Sequence, residues 1–171
     1  MRSIADDAGI TIQLLTHHVK SKENLWKVML EDLKRRYLGL KRTHPELRGN
    51  ASAADRLRIL ISDSVHYTAT IPELHRLVTM EAGSPNPRLL WLIEAFGQEV
   101  FDEMCALIKD AQREGAVKDL SPARLRYAIT AMSAVPFSVA AEYEYFTGKN
   151  PFDSNEIDRI IELINELVFI K

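Results

Sequence analysis

The residues best equipped for chemistry near the start of the chain lie in one run, Ile10 to Trp26, ITIQLLTHHVKSKENLW, which sets His17 beside His18 and follows them with Lys20 and Lys22. Three chemistries suit such a set: metal ligation, acid–base catalysis, or contact with an anion such as phosphate. Neighbouring residues of a helix point about 100° apart, so His17 and His18 cannot share one metal as an i, i+4 pair does. No nucleophile with a positioned base is recognisable around them. Anion contact remains, since histidine donates to a phosphate oxygen and lysine neutralises its charge.

Those side chains need a scaffold, and the whole chain bounds what it can be. With 171 residues, 46% hydrophobic and 27% charged, the composition suits a globular protein with one or two buried cores. Apolar runs all fall short of the roughly 18 residues of a membrane span, and the given sequence opens on no signal-like segment. The expectation is a cytoplasmic protein with no membrane partner. Cys105, in EMCALI, has no second cysteine to pair with. It reads as a small core hydrophobe, with a thiol sensor as the other reading. A net charge of -2 hides an uneven distribution: residues 1 to 48 hold 10 Lys/Arg against 6 Asp/Glu, and residues 49 to 171 hold 12 against 18. A basic front on an acidic body suits an anionic partner or a solvated basic face.

Proline and glycine punctuate the chain at intervals that suit helices, and strict polar/apolar alternation is absent. Ser3 with Asp6 predicts a capping box for a short helix to Ala8, stopped by Gly9. Thr11 predicts a cap for a second helix from Ile12 to about His18, and Ser21 for a third, Lys22 to about Arg42. Pro45 and Gly49 mark a loop. Further helices are predicted over Ala53 to Thr70 and Pro72 to Ala82, where the proline suits a first turn, and GSPNP at 83 to 87 reads as a loop.

From Arg88 to Glu114, Leu89, Ile93, Phe96, Val100, Met104, Leu107 and Ala111 recur at spacings of three and four, which predicts one long amphipathic helix closed by Gly115. Pro122 opens another, with Leu125, Ile129, Met132, Pro136, Val139, Tyr143 and Phe146 repeating as four, three, four, three, a seam for lying along another helix. Pro136 kinks that helix. The kink either opens space for a ligand or curves the helix around its neighbours. The final helix carries Ile157, Ile160, Ile161, Ile164 and Val168, with Leu163 and Leu167 widening the stripe, as if one side met the chain's own core and the other a second chain.

The fold class is therefore all-α. Two short helices about the turn glycine Gly9, with lysines after the second, have helix-turn-helix geometry, in which the second helix enters the major groove of DNA.

On these residues the chain resembles the TetR (tetracycline-repressor-like) family of transcriptional regulators. SIADDAGIT is similar to the family's helix-turn entry, LLTHHV to its recognition helix, and KSKENL to the start of the next helix. MEAGSPNPRLLWLIE at 80 to 94 and YFTGKNPFDSNEID at 145 to 158 extend the resemblance loosely over the remainder. It implies a DNA-binding region with linker helix over 1-46, and a helical ligand-binding and dimerisation domain over 47-171. It implies groove-facing roles for Ile12, Gln13, Leu14 and His17, and phosphate contacts for Thr16, His18 and Lys22, with Lys20 nearby. Glutamine can bond bidentately to adenine, which agrees. Thr16 stands where the family usually has a tyrosine, and Leu14 where a small hydroxyl residue is common; either departure weakens binding or alters the preferred site.

Family members also begin with a helix that covers the other two, and this sequence starts inside that domain. The helix-turn-helix is incomplete, and Ile4, Ala8, Leu15, Val19 and Leu25 are expected to lack apolar cover, at roughly 1.5 to 3 kcal/mol for each large side chain exposed. Either the given sequence lacks its true N-terminus or the protein has lost competent DNA binding.

The rear domain is expected to be the sensor. Trp91, Phe96, Met104, Met132 and Phe137 are candidate walls of a pocket for a small organic ligand, and His66, His75, Asp63 and Glu142 candidate polar groups, although each also suits an ordinary core or surface position. Asp63 and His66, at i, i+3, are expected to share a hydrogen bond rather than a metal. No cofactor is expected, and with neither Glu-x-x-His nor Cys-x-x-Cys-His a di-iron or haem enzyme is disfavoured. The expectation is a homodimer bound to a palindromic operator in double-stranded DNA, a repressor released by its ligand. The alternative is a ligand-binding or dimerising remnant without DNA binding.

Overall fold

The computed structural model describes residues 1–39, 44 and 51–170, with the backbone alone at 37–39 and 96. Among the described residues every regular element is helical, and extended pairing is limited to one antiparallel bridge, Val117 with Phe169. The chain divides into two compact units, Met1–Lys41 and Arg42–Lys171.

The small unit holds α1 (Arg2–Asp7), α2 (Ile12–Val19) and α3 (Lys22–Gly39). The turn between α1 and α2 follows from Gly9, whose φ of +65° a side chain would disfavour. Its N–H bonds to Asp6 O at 3.1 Å and that of Ile10 to Ala5 O at 3.0 Å, a Schellman closure of α1. Thr11 caps α2 by accepting from Leu14 N at 3.2 Å, and Ser21 caps α3 by accepting from Asn24 N at 3.0 Å. The capping box expected at Ser3 is not formed. Helix α1 already includes Arg2, so Ser3 lies inside the first turn, where its hydroxyl cannot act as an N-cap. The expected run of α3 to Arg42 and the loop at Pro45 and Gly49 lie outside the described residues.

Ala5, Leu15 and Val19 form the core of this unit, with Met1, Ile12 and Leu25 half-buried around it. Leu15 and Val19 were expected to lack cover, yet α1 and α2 bury them against Ala5. Ile4 and Ala8 are exposed as anticipated.

The large unit holds α4 (Ala53–Thr70), α5 (Pro72–Ala82), α6 (Pro87–Leu92), a π turn (Ile93–Gly97), α7 (Gln98–Arg113), α8 (Pro122–Ser138), α9 (Ala140–Thr147) and α10 (Ser154–Val168). Helices α4, α7, α8 and α10 pack on one another. Leu57, Ile61 and Val65 of α4, Ile108 of α7, Ile129 and Phe137 of α8 and Ile164 and Val168 of α10 have no exposed surface and make the centre of one core. Burial of each contributes roughly 1.5 to 3 kcal/mol. Gly115 closes α7 at φ +73°, with Ala116 N on Ala111 O at 3.1 Å.

Two long helices expected from the seams are interrupted. The segment over Arg88 to Glu114 contains the π turn, which adds a residue to one turn and so rotates everything before it. Leu92 is consequently buried, while Ile93 of the expected seam is 40% exposed; Val100, after the turn, is 49% exposed. The segment from Pro122 to Phe146 breaks at Val139, where φ -116°, ψ 38° is not helical. Pro136, three residues earlier, has no N–H to give the ladder. Beyond the break the seam leaves the core: Phe146 is 77% exposed, and α9 has no buried residue.

Along α10, Ile160, Ile164 and Val168 are buried, with Ile157 and Ile161 packed on the same core. Leu163, Leu167 and Ile170 remain about half exposed.

Candidate functional site

Helix α2 commits one face to the small core through Ile12, Leu15 and Val19. At about 100° per residue, Gln13, Leu14 and His17 then fall on the opposite face, and Thr16 and His18 on its two flanks. All five are exposed, as are Lys20 and Lys22 beyond the helix end. Ile12, also expected to face outward, is half-buried against Ala5, Leu15 and Val19; a helix this short needs it as an anchor. The His17 and His18 rings stand edge-on, with centroids 5.4 Å apart, and diverge as their adjacency requires.

Charge across this surface has one sign. From Ala8 to Lys22 the chain contains no Asp or Glu. The turn joining α2 to α3 is tight: Lys20 N bonds to Thr16 O at 2.8 Å, and Ser21 N to Val19 O at 2.6 Å. Lys20 is held at φ 59°, ψ -46°, and it is the one non-glycine residue of positive φ among those described. Such γ-turn backbone is strained, of order 1 to 3 kcal/mol. Sequence reasoning missed this feature, because neither glycine nor asparagine marks the position. Lys20 and Lys22, both exposed, thus follow directly on the end of α2.

In the large unit the candidate sensor residues are dispersed. Met104 and Phe137 belong to the main core, and half-buried Met132 packs against it. The side chain of Phe96 lies outside the described set. Trp91 is half-buried and Glu142 is exposed. His66 Nδ1 pairs with Ser62 O at 2.8 Å, one turn back on its own helix. Asp63 therefore does not bond His66 as expected; it takes His44 Nε2 at 2.8 Å instead. His75 Nε2 lies 3.3 Å from Thr79 Oγ1, and burial disfavours its charged form and lowers its pKa. Arg76, beside it, donates to Ser138 O at 2.8 Å and Phe137 O at 3.1 Å, capping the C-terminal end of α8. Among the described residues no cluster of three His, Cys, Asp or Glu could hold a metal.

Among the clefts on the surface of this unit are two of comparable volume. One, of about 410 Å³, runs between α7 and the start of α8 and is lined by Phe101, Asp102, Cys105, Lys109, Arg113 and Pro122 among others. The other, of about 330 Å³, lies at the start of α10 beside Lys149, Asp153, Glu156 and Arg159. Neither includes a candidate sensor residue.

No protein-family model matches the chain, and no curated protein matches it in sequence. Its fold does have a solved counterpart. A transcriptional regulator of the TetR/AcrR family from Thermobifida fusca YX-ER1 superposes with a TM-score of 0.58, over 97% of this chain and 82% of that one, at 16% identity. The likeness is one of fold. No helix among the described residues is long and apolar enough to cross a membrane.

Proposed function

We propose that the protein is a DNA-binding transcription regulator, a repressor that leaves its operator when a small organic molecule binds the large unit. The observation that carries this reading is the outward face of α2: Gln13, Leu14 and His17 together, flanked by Thr16 and His18, followed by Lys20 and Lys22, with no carboxylate from Ala8 to Lys22. Gln13 reads a base edge and His17 and Leu14 meet the groove, while Thr16, His18, Lys20 and Lys22 hold phosphates. Ile12 contributes by anchoring the helix. The fold shared with a transcriptional regulator of the TetR/AcrR family supports the assignment.

The rest of the reading concerns assembly and signal. Two copies pair through α8, α9 and α10, where Val135, Val139, Leu163, Leu167 and Ile170 leave 40% or more of their surface uncovered, and the two α2 helices then address the half-sites of a palindrome. The ligand is apolar or weakly charged, and acts through residues among Trp91, Phe96, Met104, Met132, Phe137, His66, His75 and Glu142. It releases DNA only if it binds better to a conformation that fits the site less well.

A second reading, a dimerising or ligand-binding protein without DNA binding, is favoured by Ile4, Ile10 and Leu14, which leave 37%, 37% and 46% of their surface uncovered on the small unit. Titration against DNA flanking the protein's own coding sequence, over a range of salt, separates the two. The first reading expects sequence-selective binding that weakens steeply as salt rises; the second expects none.

A further inference from the structure

Helix α6 enters the large unit through a tight corner. Asn86 caps it by accepting from Leu89 N at 2.9 Å, and Arg88 pairs with nearly buried Glu81 at 3.1 Å. Five residues later the backbone widens into the π turn, where Gln98 N reaches back to Ile93 O, and only then does α7 begin. A π turn is an α-helix carrying one residue more than its ladder requires. That residue decides which side of α6 faces the core.

Met104, Cys105, Ile108 and Ala111 fix the inward face of α7. Continued backwards as unbroken α-helix, at about 100° per residue, this face would receive Gly97, Ile93 and Leu90. The π turn shifts everything before it by one place, so the inward positions go to Leu92, 5% exposed, and half-buried Leu89, while Ile93 and Leu90 lie 40% and 62% exposed. The sequence LLWLI thus offers either register nearly the same side chains: Leu90 replaces Leu89, and Ile93 replaces Leu92. A one-residue slip is normally opposed by the burial of unsuitable groups, and here that opposition is largely absent.

We propose that Ile93–Gly97 is a register switch, in which conversion of the π turn to α-helix rotates α6 by about 100° and exchanges Leu92 and Leu89 for Ile93 and Leu90 in the core. The α register sacrifices the Glu81–Arg88 ion pair and gains a regular hydrogen-bond ladder. A small apolar molecule that binds the α register better than the π register selects it; this consequence rests on the ligand-responsive function proposed above, whereas the two registers themselves do not.

The test needs neither DNA nor ligand. In a Cys105→Ala background, a cysteine probe is placed at Leu92, with one at fully buried Val65 as reference, and alkylation of each by a maleimide is followed by mass spectrometry. The switch predicts that the probe at 92 reacts at least tenfold faster than that at 65. Leu90→Lys, a change at a side chain exposed in the π register and buried in the α register, should slow the reaction at 92 severalfold; Glu81→Gln, which removes the ion pair made only in the π register, should accelerate it. Deletion of Ala95 removes the surplus residue and should bring the rate at 92 to that at 65. Equal rates at 92 and 65 in the parent chain, or a rate at 92 indifferent to Leu90→Lys, would overturn the proposal. Should a cysteine at 92 or the deletion prevent folding, hydrogen exchange at the Leu92–Gln98 amides, compared between wild type, Leu90→Lys and Glu81→Gln, reads the same opposite shifts, and their absence would overturn it equally.

Discussion

The Glu114 carboxylate accepts the backbone N–H of Ala53 at 2.7 Å, with its second oxygen taking that of Ala54 at 2.9 Å, so the end of α7 caps the start of α4. Those two bonds hold the Glu114 pKa below its ordinary value of 4.5, the Ala53 bond contributing most. A carboxylate whose folded pKa is depressed contributes stability above its unfolded pKa and loses it as pH falls through the folded one. Glu114→Gln should therefore be less stable than wild type at neutral pH, and the gap should close as the medium is acidified below about pH 4.5. Thermal melts of both proteins across that range check this; a gap independent of pH would show that the charge contributes nothing.

Lys20 supplies a second test, because its backbone is strained and the proposed function assigns its side chain to a phosphate. Lys20→Gly removes the Cβ that disfavours φ 59° and should raise stability by about 1 kcal/mol in urea denaturation, since relief of 1 to 3 kcal/mol of strain is partly offset by the greater freedom of glycine in the unfolded chain. The same change should weaken DNA binding. A β-branched residue there should destabilise instead.

Leu163 and Leu167 lie 53% and 49% exposed on α10, on the flank of the stripe made by its buried Ile160, Ile164 and Val168. A charge at an exposed site ordinarily alters folding stability by less than about 0.5 kcal/mol. Leu163→Glu with Leu167→Glu should leave the protein folded yet monomeric by light scattering at micromolar concentration, where the wild type should scatter as a dimer. A monomeric wild type would remove the pairing proposed for α8, α9 and α10.

Much of this architecture could be read from local chemistry. Thr11 and Ser21 announce their helices because an N-cap hydroxyl satisfies a backbone N–H within its own turn, and Gly9 and Gly115 stop theirs because few other residues adopt positive φ. The bounds of α4 and α5 follow from the same signals. The π turn and the break at Val139 were not legible, for the seams of Leu89 to Ala111 and Leu125 to Phe146 fit regular helices, and only the packing of α4, α7, α8 and α10 decides where a helix must rotate. Similarly, the spacing of Asp63 and His66 suggested a bond that His44, nineteen residues before Asp63, takes. The outward face of α2 was more accessible, being short and local, although Ile12, expected to face outward, is half-buried: periodicity alone does not say how many apolar residues a helix of eight residues needs to anchor itself.

Mutations at that face should separate selectivity from charge. Gln13→Ala should relax preference at one base pair by roughly 1 to 3 kcal/mol, with affinity for other sequences little changed. Its thermal stability should stay close to wild type, since Gln13 is exposed.

Lys22→Ala tests the central claim most directly, through the slope of log affinity against log salt measured on a selected duplex and on random-sequence duplex. If α2 and the turn after it form a phosphate-bound recognition element, the substitution weakens both duplexes alike and lowers the slope by about one for each recognition helix engaged. An unchanged slope and affinity on both duplexes, in a protein that still folds, would contradict the account.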